Sequence, residues 1–181
     1  MGIVNSSGTV TNCTVYFNSA NEDGGGIFIT GVETNASVIN CTVYCNLAKG
    51  DGAGIYNYQG EITNCIVWNN KNSGDIYNDD SNSTVSNSCY WGTTGTNGNI
   101  KSDPLFVNTS GDISTWDFHL QTGSPCIDAG KYIPGLATDF ENNPRPINGV
   151  ADPRGDGSDY DMGAYEYVPL IDQNANLFVL Y

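Results

Sequence analysis

Four aromatic residues recur at a spacing that could do recognition chemistry: Tyr16, Tyr44, Trp68 and Trp91, at steps of 28, 24 and 23 residues. Rings held at one position of a repeated coil would lie about 4.8 Å apart, the distance between paired strands. A stripe of that kind can stack on the faces of sugars or on another copy of the same surface. The alternative is that the rings pack on one another or under a loop. A second, weaker column reads Val4, Phe28, Tyr56 and Tyr77.

Carboxylates form the second group. Asp152, Asp156, Asp159 and Asp161 fall within ten residues that also hold Gly155 and Gly157. Hard oxygen ligands on a tight turn suit Ca²⁺, so a loose Ca²⁺ loop is one expectation. An EF-hand is excluded, because its third position is Arg154 and its twelfth is Gly163. The competing reading is a solvated acidic turn with Arg154 paired to a neighbour. Asp23 and Asp51 sit at equal offsets, four residues before Ile27 and Ile55, and offer a second ion site or two solvated turns.

Catalysis has thinner support. A polysaccharide lyase needs a Lys or Arg base, and the repeated part of the chain carries Lys49 and Lys71 but no Arg. A glycoside hydrolase needs two carboxylates held across the bond, whereas Asp79 and Asp80 are adjacent in sequence and alternation on a strand separates them. His119, the single His, reads as a structural hydrogen-bonder. No catalytic residue is assigned. The sequence leans against an enzyme, with a lyase or hydrolase acting on acidic or neutral polysaccharide as the alternative.

The elements that must position these residues follow from a repeat. Thr11-Asn12-Cys13-Thr14-Val15-Tyr16 returns as Ile39-Asn40-Cys41-Thr42-Val43-Tyr44 and as Thr63-Asn64-Cys65-Ile66-Val67-Trp68, with a degraded copy around Asn87. A second anchor precedes each frame: Gly2-Ile3-Val4, Gly26-Ile27-Phe28, Gly54-Ile55-Tyr56 and Asp75-Ile76-Tyr77. A period in the twenties, with strand pieces between Gly- and Asn-rich turns, predicts coils of short strands stacked on one another. Columns follow down the stack. Val10, Val38, Ile62 and Val85 form one, Cys13, Cys41 and Cys65 another, and Val15, Val43 and Val67 a third; the last two share an inward face. The Asn12, Asn40, Asn64 and Asn87 column is expected to turn the chain and to bond Asn to Asn in a continuous ladder.

These frames resemble the repeats of pectin-lyase-like right-handed β-helix proteins. Asp103-Pro104-Leu105-Phe106-Val107, Gly123-Ser124-Pro125-Cys126-Ile127-Asp128-Ala129-Gly130 and Asp161-Met162-Gly163-Ala164-Tyr165-Glu166-Tyr167 resemble the choice-of-anchor Q type of C-terminal domain. The resemblance implies an all-β, right-handed single-stranded parallel β-helix of about four coils with an irregular C-terminal cap. It also implies a secreted or cell-surface setting, mostly in bacteria. The seven prolines all lie from Pro104 onward, so regular coils should stop near residue 108. The expected organisation is coils over 1–108, a capping domain over 109–167 with Leu105, Phe106, Phe118 and Ile127 plugging the last coil, and a tail over 168–181 with the apolar run Leu177–Tyr181. Cys89 and Cys126 flank the junction, where a disulfide would staple the cap in an oxidising compartment.

Charge narrows the partners. Twenty acidic against six basic side chains give a net charge of −14, which argues against nucleic acid. No apolar run is long enough to span a bilayer. The repeat begins at once, so the first coil presents an open edge, from a shortened chain or for head-to-tail association with another copy. The leading expectation is a non-catalytic extracellular module that contacts glycans or copies of itself.

Overall fold

The computed structural model describes residues 2–31, 36–152 and 154–169. The expected strand at 177–181 lies outside them. The chain winds a right-handed parallel β-solenoid of four coils. The first coil holds β1 (Ile3–Asn5), β2 (Thr9–Thr11), β3 (Thr14–Tyr16) and β4 (Ser19–Ala20). The second holds β5 (Ile27–Thr30), β6 (Ser37–Ile39), β7 (Thr42–Tyr44) and β8 (Leu47–Ala48). The third contributes β9 (Ile55–Tyr58), β10 (Glu61–Thr63) and β11 (Ile66–Trp68), and the fourth β12 (Ile76–Asn78), β13 (Thr84–Ser86) and β14 (Cys89–Tyr90).

Three four-stranded parallel sheets result, and β4 pairs with β8 in a short parallel sheet of its own. The first is β1-β5-β9-β12, the second β2-β6-β10-β13 and the third β3-β7-β11-β14. Pairing follows the repeat: Ile3 faces Ile27, Val10 faces Val38 and Val15 faces Val43. The inward columns make one core in which Ile27, Ile29, Val38, Cys41, Val43, Ile55, Ile62, Cys65 and Val67 are fully buried. Among the described residues, β1, β2 and β3 each pair on one side.

Strands of two to four residues need a sharp corner after each. Asn12, Asn40, Asn64 and Asn87 supply the corner between the second and third sheets, with φ of 50°, 48°, 52° and 44°. Asn tolerates this left-handed region better than other side chains with a Cβ. The expected continuous ladder is not built there: Asn64 reaches Asn40 at 3.2 Å, and the remaining amide bonds of the column go to the C-terminal half. The continuous ladder lies six residues later. Asn18 Nδ2 donates to Asn46 Oδ1, Asn46 to Asn70, and Asn70 to Asp75, at 3.1, 3.0 and 2.9 Å. Each acceptor oxygen also takes the backbone N–H of the preceding ladder residue. Gly26 and Gly54 make room for it, since a Cβ there would lie 2.9 Å from the Asn46 amide and 2.8 Å from that of Asn70.

The C-terminal half forms an irregular cap around an antiparallel pair, β15 (Phe106–Asn108) and β16 (Asp117–Leu120). It differs from the expected end plug in position. Phe106, Phe118 and Ile127 belong to a second core with Tyr44, Ile66, Cys89, Cys126 and Met162, on the outer face of the third sheet. Leu105 stays exposed. That face carries Tyr44 and Ile66 where a solvated face would be polar, so a lateral cover buries more apolar surface than an end plug. The edge of β14 is met instead by the chain at 97–100: Asn87 N–H donates to the Asn97 carbonyl and Ile100 N–H to that of Ser88, both at 2.9 Å.

Candidate functional site

The aromatic row is in register where strands carry it: Tyr16 faces Tyr44, and Tyr44 faces Trp68. The cap divides the row. Tyr16 lies 5.1 Å from Phe118 and 6.1 Å from Trp116, and Tyr44 is buried against Phe106, Phe118 and Trp116. Tyr16 keeps 38% exposure, and Trp68 packs partly against the cap core while flanking a cleft with Trp91. Trp68 is half-buried and Trp91 is 64% exposed. Their ring centroids are 6.2 Å apart at 77°. A cleft of about 240 Å³ lies between them, walled by Asn69, Asn70, Gly74 and Asp75. The ammonium of Lys101 sits 4.1 Å over the Trp91 ring, a cation–π contact that braces it.

Asp75 is the residue of this cleft that sequence reasoning passed over. Its Oδ1 ends the asparagine ladder by accepting from the Asn70 N–H and side chain, and its Oδ2 accepts from the Trp91 N–H at 2.9 Å. Burial pushes its carboxyl pKa up, while those hydrogen bonds pull the other way. A signal existed in the anchor column: Gly2, Gly26 and Gly54 give way to Asp75. In the fourth coil the position six after the corner is Thr93 rather than Asn. The Asp75 carboxylate, reaching in from the anchor column, fills the place the next Asn would have taken.

The second column is stacked. Phe28 and Tyr56 lie 4.8 Å apart at 5°, and Tyr56 and Tyr77 5.6 Å apart at 25°. Beside it, the Tyr56 hydroxyl donates to the Asp79 carboxylate, which raises the Tyr56 pKa. Asp80 accepts from the Asn82 N–H. Asp23 and Asp51 are tied together by a 2.7 Å bond from the Asp51 N–H to Asp23 Oδ1.

The four acidic-loop residues are spread in depth. Asp152 and Asp156 are exposed, Asp159 is half-buried and Asp161 is fully buried. Asp156 accepts from the Tyr132 and Ser158 N–H groups, and Asp161 from those of Asp128 and Tyr167. Arg154 donates to the carbonyls of Ser124 and Ile127. Among the described residues, no group of three or more His, Cys, Asp or Glu side chains is placed to hold a metal ion.

His119 is clamped between carboxylates, with Nδ1 2.6 Å from Asp117 and Nε2 3.2 Å from Glu141. Burial disfavours its charged form, but the two carboxylates outweigh burial and raise its pKa. All six cysteines are free thiols. Cys13, Cys41 and Cys65 point at the carbonyls two residues before them, and burial pushes the Cys41 thiol well up. Cys89 and Cys126 are both fully buried in the same cluster, where the Cys89 thiol donates to the Ser102 carbonyl. Among the described residues, no helix is long and apolar enough to cross a membrane. No protein-family model, no curated protein and no solved structure matches this chain.

Proposed function

We propose that the chain is a non-catalytic, secreted or cell-surface β-helix module that contacts glycans through the cleft between Trp68 and Trp91. The single observation that carries this reading is the cleft flanked by the Trp68 and Trp91 rings, with Trp91 64% exposed, beside a Tyr44 that the cap buries. Indoles bring large apolar faces with a polar N–H, the combination that recognises a sugar's C–H face and its hydroxyls together. The rigid ladder behind the cleft fixes both walls before a ligand arrives, which lowers the entropic cost of binding. With a net charge of −14, neutral glycans fit better than polyuronates.

The same reading takes in the resemblance to pectin-lyase-like repeats with a choice-of-anchor Q type cap, and the secreted setting that resemblance implies. Contact with further copies through the unpaired side of the first coil belongs to it as well. The carboxylates and the His that a hydrolase or lyase would need are bound into local contacts: Asp79 to Tyr56, Asp80 to Asn82, and His119 to Asp117 and Glu141. Tryptophan fluorescence titrated with soluble neutral oligosaccharides tests the cleft. A saturable emission shift that disappears in Trp91→Ala is expected; an identical shift in that variant would refute the assignment.

A further inference from the structure

The outward column of the first sheet carries a ring at every position but its first. Val4, Phe28, Tyr56 and Tyr77 are in register from β1 through β12. Phe28 and Tyr56 have parallel planes and centroids 4.8 Å apart, the rise of one coil. Two coplanar six-membered rings cannot approach so closely, so the rings lie face to face along the solenoid axis and turn their edges to solvent. In such a stack, only a terminal ring offers a free face. At the Phe28 end the next register position is Val4, a residue without a ring that is 54% exposed.

A pocket of about 580 Å³ occupies that place, lined by Val4, Phe28, Asn21, Glu22 and Asp23 together with β4. The volume lies within the range of small-ligand sites. Its lining combines the apolar Val4, Ala20 and Phe28 with two carboxylates and an amide. Asp23 is held in position by the bond its Oδ1 accepts from the Asp51 N–H.

The geometry points to a second carbohydrate site here: a neutral or amino-bearing pyranose ring stacks on the free face of Phe28 as the missing rung over Val4, its hydroxyl or ammonium groups bonding Glu22, Asp23 and Asn21. A pyranose presents one flat C–H face and a polar rim, which matches a lining that holds both an aromatic ring and carboxylates. Carboxylates accept from hydroxyls and attract ammonium, and they repel a uronate. This site stands on a different sheet and different residues from the Trp68–Trp91 cleft, so either can fail without the other.

Saturation-transfer NMR with methyl glycosides of glucose, galactose and mannose, methyl glucosaminide and sodium glucuronate tests it on the intact chain. At least one neutral glycoside and the glucosaminide should receive saturation on ring C–H protons, and glucuronate should not. The effect should survive in the Trp68→Ala/Trp91→Ala double variant. It should weaken about fivefold in Val4→Trp, whose ring completes the column, and in Phe28→Leu, which keeps apolar volume but removes the ring face. Unchanged melting temperatures exclude misfolding, and either variant alone decides the point if the other unfolds. The inference is overturned if no pyranoside binds, if glucuronate binds equally, or if a folded Val4→Trp or Phe28→Leu binds as well as the parent.

Discussion

Asn64 and Lys131 exchange two hydrogen bonds: Asn64 Nδ2 donates to the Lys131 carbonyl at 2.8 Å, and the Lys131 N–H donates to Asn64 Oδ1 at 2.9 Å. A side-chain amide thereby acts as a short strand edge for the cap. Asn40 Nδ2 donates, without a return bond from the described cap residues, to the carbonyls of Asp161 and Gly163, and Asn12 Nδ2 donates to that of Thr138. The corner column turns the chain with its backbone, and Asn12, Asn40 and Asn64 hold with their amides the cap that buries Tyr44.

Replacing Asn64 by Gly keeps the left-handed corner, at φ 52°, and removes only the side-chain bonds. Amide exchange at Lys131 and Gly163 should accelerate about tenfold, while exchange in β5 and β9 stays unchanged. Equal acceleration in the coils would mean that the amide supports the solenoid rather than the cap.

The two Asn columns should respond differently to the same substitution. Asn87 serves as a corner at φ 44°, so Asn87→Gly should cost under about 1 kcal/mol. Asn46 is fully buried and links Asn18, Asn70 and the carbonyls of Val15 and Tyr44. Asn46→Gly should cost about 2–4 kcal/mol in urea unfolding, because several buried partners lose their bonds. Equal costs would contradict the separation of roles.

The cap should lose stability as pH rises. Arg145 pairs with Glu166 at 3.0 Å, both fully buried, and Asp161 and Asp128 lie nearby. Burial pushes the Glu166 carboxyl up to about 7 despite Arg145, and burial together with the neighbouring Glu166 pushes Asp161 well up. A folded-state pKa above the unfolded value means that the folded chain holds the extra proton. The stabilisation is complete below the unfolded carboxyl pKa near 4.5 and is lost as pH rises to about 7. The urea midpoint should therefore fall between those values, and Glu166→Gln should flatten the fall. Overall negative charge gives a slope of the same sign, so the difference between variant and parent is the quantity to read. Identical slopes would remove Glu166 as its source.

Much of the solenoid was legible in the sequence because its columns are set by one-dimensional spacing. The Val, Ile and Cys positions read straight off the frames, and the left-handed corner follows from Asn recurring where a strand must end. The true ladder at Asn18, Asn46 and Asn70 has the same spacing as the corner column. It was hidden because its last member, Asp75, comes from a different place in the repeat. The cap's seat was not legible at all. Tyr44 and Ile66 look like ordinary strand residues until a distant segment covers them, and spacing carries no record of that contact.

Cys89 and Cys126, fully buried in one hydrophobic cluster, should join when the chain is folded in the presence of oxidised glutathione. Two thiols lose two protons and two electrons to the glutathione disulfide, and the protein's mass falls by two hydrogens. The bond closes a loop of some 37 residues, which constrains the unfolded chain by about 3–4 kcal/mol. Oxidation should raise the melting temperature of the parent and leave Cys126→Ser unchanged. A parent that retains both thiols under those conditions would exclude the staple.

Glycan contact at the Trp68–Trp91 cleft is the central claim, and an array of neutral and acidic polysaccharides tests it most directly. The parent chain and the Trp68→Ala/Trp91→Ala variant would be applied side by side, with reducing ends and unsaturated products assayed in the same wells. Retention of the parent on neutral glycans, loss of most of it in the variant and no product in either are expected. Equal retention of the two chains, or product formed by the parent alone, would contradict the account.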